Sequence, residues 1–476
     1  MRFINIFLSS PFTPVLLALI IASCTLPMYI PDSYEQALGY ICRFQEHPSC
    51  AQVDLQFRPP SMSLFLMPLT IGMSPFLAVG VLSMLCSAWC LLPIALIIRK
   101  KTKSNTLMWF GALGILLSPT LHLLNSLADA RIFILPLLFS SWALTFIENP
   151  KKYQLFLCGG LMGIAGTTRP ELLLGIVLLS GFSLFYHRKK SMWTILGAWT
   201  PYLIWISSLS VQAQKLVLGP RHWEGALLAI WEFVPKRIAL RLYGMGMYSP
   251  PARSIPSDIP TTQTTDITVG FQWLFQILSM TPVVFIVGSL MIFLSWRKNK
   301  RVVSASIAIF LPYLIASFLP QARAPLFPQA NMIPMLIVLY CYTGIALGKI
   351  LLSCKKVPKL ARFALIFAII GTHALTVHLP EHPSGIEYTS SGTQAQKYIR
   401  KQPTGSYTSS YENASLIWLT ENQWHQQNSP WDNIRSKYVL QSSIDMDILH
   451  DVKPIAFWAH EDSWVLIGHS DLDNRD

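Results

Sequence analysis

The chain has 476 residues, 52% of them hydrophobic and only 13% charged. That balance excludes an ordinary soluble globular protein and fits an integral membrane protein. The net charge of +13 does not point to nucleic acid, because residues 1–380 carry 30 Lys and Arg against 11 Asp and Glu, while residues 381–476 carry 7 against 13. A basic excess confined to the apolar part is a topology signal, and no nucleic-acid-binding pattern accompanies it.

A bilayer crossing needs about 20 mostly apolar residues. Such runs fall near 12–30, 75–98, 106–124, 131–147, 153–169, 171–187, 192–210, 270–295, 303–320, 328–351 and 360–379. The expected fold is an all-α polytopic membrane domain over residues 1–380, with about eleven transmembrane helices. A small α/β domain is expected over residues 381–476. Ile21-Ala22-Ser23-Cys24 resembles a lipoprotein cleavage box, but the run is long enough to span and reads as an uncleaved anchor.

Basic clusters occupy every second connection: Arg99-Lys100-Lys101, Lys151-Lys152, Arg188-Lys189-Lys190, Lys300-Arg301 and Lys355-Lys356. The positive-inside rule makes these loops cytoplasmic. The N-terminus then lies inside a plasma (inner) membrane, and the C-terminal domain is extracytoplasmic. Ser61–Gly72 is apolar but short, and counting it as a span would put Arg99–Lys103 outside; it reads as a re-entrant or interfacial segment. Of the 11 acids in residues 1–380, all but Glu148 fall outside in this scheme. The long loops at 31–74 and 211–269 are outer loops as well. Cys42 and Cys50 sit in the first of them, where an oxidising compartment would allow a disulfide.

Directly after the first span stands Pro31-Asp32-Ser33-Tyr34-Glu35. An ionisable group at such a mouth is costly unless it lines a wet cavity or does chemistry. On a helix, i and i+3 spacing puts Asp32 and Glu35 on one face, where a carboxylate can act as general base. The same spacing also suits a capping box, with Asp32 as N-cap and Glu35 at N3. Arg58-Pro59-Pro60 closes the loop with a stiffened approach to the membrane and a cation at headgroup level, although such a side chain ordinarily snorkels.

Asp129 lies between two apolar runs and either pairs with Arg131 or faces the cavity of Asp32. Thr167-Thr168-Arg169-Pro170-Glu171 offers either an ion pair in a tight turn or a guanidinium that grips a lipid phosphate through two N–H groups. Arg323, among Pro320, Pro325 and Pro328, is another outer cation. Arg221, Lys236, Arg237 and Arg241 form a basic stretch in the loop 211–269, facing either an anionic lipid or solvent. Nucleotide, zinc-peptidase and serine-hydrolase motifs are absent from the sequence. In the tail, 409–422 reads as a short helix, and 437–442, 455–460 and 464–468 read as strands.

In order and placement these pieces resemble the GT-C superfamily of polytopic glycosyltransferases. The nearest family by resemblance holds the protein O-mannosyltransferases and the lipid A aminoarabinose transferases. The match runs through Asp32-Ser33-Tyr34-Glu35, Arg58-Pro59-Pro60 with Gly72, Asp129, Thr168-Arg169-Pro170-Glu171, and Arg323 with Pro325 and Pro328. The resemblance implies a sugar on a polyprenyl phosphate or diphosphate as donor. It implies inverting transfer to an envelope lipid, glycan or protein acceptor on the outer face. Asp32 would be the base and Asp129 the second acid of the cavity.

Relatives often carry Asp-Glu adjacent in the first loop. Here the second acid is Glu35, three positions on, so its part in catalysis stays open. Arg58, Arg169 and Arg323 would stabilise charge on the leaving lipid phosphate, and Tyr34, Glu171 and Arg237 would contact substrate. Some superfamily members hold a divalent metal between acids, which Asp32 and Asp129 could do; the nearer relatives require no cofactor. Two other readings compete: a transporter or flippase, which would favour midplane charges and internal repeats, and a non-catalytic protein of envelope-polysaccharide assembly.

Overall fold

Backbone groups inside a bilayer must be satisfied within their own segment, so apolar runs of spanning length fold as helices. A computed structural model describes residues 9–23, 31–44, 60–116, 130–169, 172–213, 286–290, 293–294, 300–318, 333–353, 390–402, 405–409, 423–426, 438–442, 453–460 and 463–469. The described helices are α1 (Thr13–Ser23), α2 (Pro31–Phe44), α3 (Pro60–Thr70), α4 (Pro75–Trp89), α5 (Leu91–Thr102), α6 (Asn105–Leu116) and α7 (Ala130–Phe133). They continue as α8 (Leu135–Thr145), α9 (Lys152–Thr168), α10 (Leu173–His187), α11 (Ser191–Ala213), α12 (Lys300–Phe318), α13 (Ile333–Ser353) and α14 (Ser390–Lys401).

Prolines open α2, α3 and α4, where the missing N–H would have had no helical partner. Ser74 caps α4 by accepting the Leu77 N–H at 3.3 Å. With α5 it makes the run Leu77–Thr102, the one stretch among the described residues both long and apolar enough to cross a membrane. Lys103, with a left-handed φ of 52°, ends it. The expected span at 75–98 therefore continues to the last basic residues of the cluster. Outward faces are as apolar as inward ones: Ile20, Leu96, Val177, Leu184, Leu203 and Ile204 are all exposed. That is the surface of a helix bundle meant for lipid.

Without a hydrophobic drive between helices in lipid, close backbone approach decides packing. Helices α9 and α11 meet over Gly159, Gly163 and Gly197. A Cβ at Gly159 would strike the Thr194 carbonyl and lie 2.7 Å from the Ala198 nitrogen. Helices α6 and α13 approach in the same way, with Gly344 against the Phe110 carbonyl. Polar clasps add specificity: Ser141 Oγ donates to the Cys158 carbonyl at 2.9 Å, and Trp142 Nε1 donates to Ser306 Oγ at 2.8 Å.

Four of the five basic connections meet at one end of the bundle, and Lys355-Lys356 lies outside the described residues. Lys101 Nζ pairs with Glu148 Oε1 at 3.4 Å. Arg301 donates to the Ile147 and Glu148 carbonyls at 2.9 and 3.3 Å and stands 3.4 Å from His187 Nε2. Lys190 donates to the Pro150 carbonyl at 3.4 Å. Four connections that alternate along the chain thus share one face, as positive-inside spacing predicts.

The described tail forms a five-stranded sheet ordered β2-β1-β3-β5-β4 from β1 (Ser406–Ser409), β2 (Gln423–Gln426), β3 (Tyr438–Ser442), β4 (Lys453–His460) and β5 (Ser463–His469). Pairing is parallel for β1 with β2 and β3, and antiparallel for β5 with β3 and β4. Helix α14 packs on β4 and β5, with Tyr398 5.3 Å from the Trp458 ring. The last three strands stand where alternation predicts them. Helix α14 and the strands β1 and β2 are additions, and the expected helix at 409–422 lies outside the described residues apart from Ser409, which ends β1.

Candidate functional site

The opposite end of the bundle, away from the basic face, gathers described segments that hold or adjoin Asp32, Arg58, Asp129 and Arg169. The described residues of the long first loop are largely helical. Its first part is α2, and the segment read as re-entrant or interfacial is the helix α3, packed on α2, α4 and α9.

Helix α2 starts at Pro31, so Asp32 stands inside the first turn instead of ahead of it. Negative charge there is favoured by the helix dipole. Tyr34 and Glu35 follow on the same helix; the side chains of all three lie outside the described residues. At positions 32, 35, 39 and 43 the helix carries one stripe, spaced by three or four residues. Its far end is fixed. Gly39 and Tyr40 are buried, and Tyr40 Oη hydrogen-bonds Thr70 Oγ1 at 2.7 Å. Arg43 donates to Ser63 Oγ at 3.0 Å and to the Gly39 carbonyl at 3.2 Å. Burial pushes the Arg43 guanidinium down to about 10, so it remains a cation at neutral pH. Arg43 is absent from the sequence-derived set; its place eleven residues after Asp32, three turns along one stripe, is the signal that could have found it. Cys42 beside it is disulfide-bonded, while Cys50 lies outside the described residues.

Arg169 ends α9 in an extended conformation, its N–H bonded to the Ala165 carbonyl at 3.0 Å, and is half-buried. Its neighbour Thr168 is buried and shares a 2.7 Å hydroxyl–hydroxyl bond with Ser61, the second residue of α3. That bond ties the end of α9 to the chain that emerges from Arg58-Pro59-Pro60. On the other flank, α7 begins one residue after Asp129 and packs on α2 and α4, with Phe133 4.7 Å from Phe65 of α3. So the segments adjoining Asp32, Arg58, Asp129 and Arg169 are neighbours. Arg58, Asp129, Glu171, Arg237 and Arg323 themselves lie outside the described residues, as do the whole segments 214–269 and 319–332.

Among the described residues no three His, Cys, Asp or Glu side chains stand close enough to hold a metal. The candidate pair Asp32 and Asp129 is not among those described side chains.

By sequence, no family model and no curated protein matches the chain. By fold it is similar to ArnT, a lipid A aminoarabinose transferase, from Cupriavidus metallidurans bound to undecaprenyl phosphate. The two chains are 10% identical, each is 99% covered, and the TM-score is 0.59. The chain has a GT-C fold. The apo structure of the same ArnT gives a TM-score of 0.56 at 10% identity, with 98% of both chains covered. The archaeal oligosaccharyltransferase AglB from Archaeoglobus fulgidus, in complex with an inhibitory peptide and a dolichol-phosphate, is a looser likeness. Its TM-score is 0.47 at 11% identity, over 91% of this chain and 69% of that one.

Proposed function

We propose that this protein is a membrane glycosyltransferase that moves a sugar from a polyprenyl-phosphate carrier to an envelope lipid, glycan or protein acceptor on the outer face. The observation that carries the reading is the junction of α3 with the end of α9 through Ser61 and Thr168, inside a fold shared end to end with ArnT. A disulfide at Cys42 supports an extracytoplasmic placement for α2, since such bonds persist in oxidising compartments.

In the proposed reaction the acceptor's hydroxyl or amine attacks the anomeric carbon from the face opposite the phosphate. The bond from that carbon to the phosphate oxygen breaks as the new one forms, inverting the centre. Asp32 takes the acceptor's proton, Asp129 is the second acid of the cavity, and Glu35, on the same helix as Asp32, is the third catalytic acid of the proposed set. The polyprenyl phosphate leaves with an added negative charge, which Arg169, Arg58 and Arg323 meet. Cations fixed before the reaction stabilise such charge most effectively. Tyr34, Glu171 and Arg237 contact the substrates. Asp32 and Asp129 are the candidate ligands should a divalent ion take part, and no step above depends on one.

The test is direct. Purified protein given a labelled polyprenyl-phosphate sugar and an envelope extract should release free lipid phosphate and label the acceptor fraction; transport of intact donor with no cleavage would favour the flippase reading. In the same assay Arg169→Ala should lower kcat/KM for the donor by about 10²-fold, the usual loss for one donor to a developing oxyanion. An unchanged dependence on donor concentration would remove Arg169 from the phosphate site.

A further inference from the structure

The basic end of the bundle is more organised than a solvated rim requires. The bond from Lys190 to the Pro150 carbonyl ties the start of α9 to the turn between α10 and α11. That tie brings Lys151, Lys152, Arg188, Lys189 and Lys190 onto one rim, all of them exposed. Glu148, the neighbouring acid in sequence, is paired with Lys101. Arg188 adopts a φ of 43° and ψ of −113°, a backbone region that L side chains rarely occupy, and Ser191 Oγ holds its carbonyl. The turn is fixed in a costly shape, which concentrates positive charge at one spot.

Immediately above that charge the surface turns apolar. Lys152 Nζ lies 5.7 Å from the centroid of the Trp193 ring, and Tyr153 is 62% exposed beside it. Phe156 and Leu157 of α9 and Leu196 of α11 continue the exposed apolar flank along the two helices. The helices beneath are locked by glycine contacts, so the platform is rigid. Clustered cations bordering an outward apolar flank match one molecule type in charge and in shape: an anionic phospholipid, with its phosphate at the rim and its chains along the helices.

We propose that the rim formed by Lys151–Tyr153 and Arg188–Trp193 binds the headgroup phosphate of an anionic phospholipid, whose acyl chains lie along the flank of α9 and α11. None of its residues belongs to the candidate catalytic set, so it stands or falls independently of the glycosyl-transfer reading.

The experiment uses the full-length protein in neutral detergent, following Tm during titration with phosphatidylglycerol, phosphatidylcholine of the same chains, or inorganic phosphate. Phosphatidylglycerol should raise Tm saturably, and neither of the others should reproduce the shift. Lys152→Gln and Lys189→Gln should each weaken the apparent phosphatidylglycerol affinity about fivefold, whereas Lys397→Gln on α14 should not. Both rim substitutions are at exposed side chains, and an unaltered lipid-free Tm verifies that each variant is folded. Lys190→Gln, which also breaks the tie to Pro150, serves as a second variant should either fail to fold. Equal shifts from the two lipids, an equal shift from phosphate alone, or unchanged affinity in the rim variants would overturn the proposal.

Discussion

Asp32→Asn should reduce glycosyl transfer by about 10²–10⁴-fold, the range expected when a positioned general base is lost, while the protein remains folded and membrane-inserted. The substitution keeps the size and shape of the side chain and removes its negative charge, and with it the capacity to take a proton. Position 32 is in the first turn of α2, so loss of the helix-dipole interaction costs well under the stability of the bundle, about 0.3–1 kcal/mol. A fall in kcat with donor KM held is the expected pattern, because the acceptor's proton moves only as the bond forms. Full activity in the variant would dismiss Asp32 as the base. The capping reading of the Asp32–Glu35 spacing does not fit a helix that already starts at Pro31; a purely structural role for Asp32 in the first turn would spare turnover and shift Tm only slightly.

The second large effect is on stability. Gly159→Ala should lower Tm, because its new Cβ would meet the backbone of Thr194 and Ala198, atoms that cannot rotate away. Overpacking of this kind costs about 1–3 kcal/mol, and Gly159→Leu should prevent assembly of α9 with α11. Gly181→Ala on α10 is the control, since nothing stands within 4 Å of its Cβ position. There the gain in helix propensity, about 0.5–1 kcal/mol, should leave Tm unchanged or raised. An equal response at both positions would mean that α9 and α11 do not approach through this glycine. The proposed catalytic machinery hangs on the same pair: α9 ends at Thr168-Arg169, and displacement of α9 would also disturb its bond to Ser61.

What the sequence could reveal followed from long-range physical rules that act on each residue separately. Apolar run length located the described helices of the bundle, while the expected spans at 270–295 and 360–379 lie mostly or wholly outside the described residues; positive charge at alternate connections grouped loops that meet in space. Glu148 illustrates the point: it was the one acid assigned to the basic side, and there it pairs with Lys101. Contacts between distant segments were illegible. Ser61 and Thr168 are ordinary hydroxyl residues with nothing in their surroundings to announce a shared bond. Helix α2 hid inside a loop because, at 14 residues, it is too short to span and carries charge on one stripe. In the tail, β4 and β5 form an antiparallel hairpin with clear alternation, whereas β1 and β2 are four residues each and pair in parallel across a crossover. Short parallel strands leave no turn signal between them. The chemistry-bearing residues were chosen by type and order, and the segments beside four of them lie together.

The decisive measurement is of Asp32 against Asp129. Asp32→Cys and Asp129→Cys, introduced singly and together into a chain whose other exposed thiols are blocked, would be probed in intact cells with a membrane-impermeant maleimide and a short bifunctional cross-linker. The account predicts that each site is labelled from outside and that the pair cross-links within one chain. Labelling of either site only after the membrane is breached, or two outward sites that never cross-link, would contradict it.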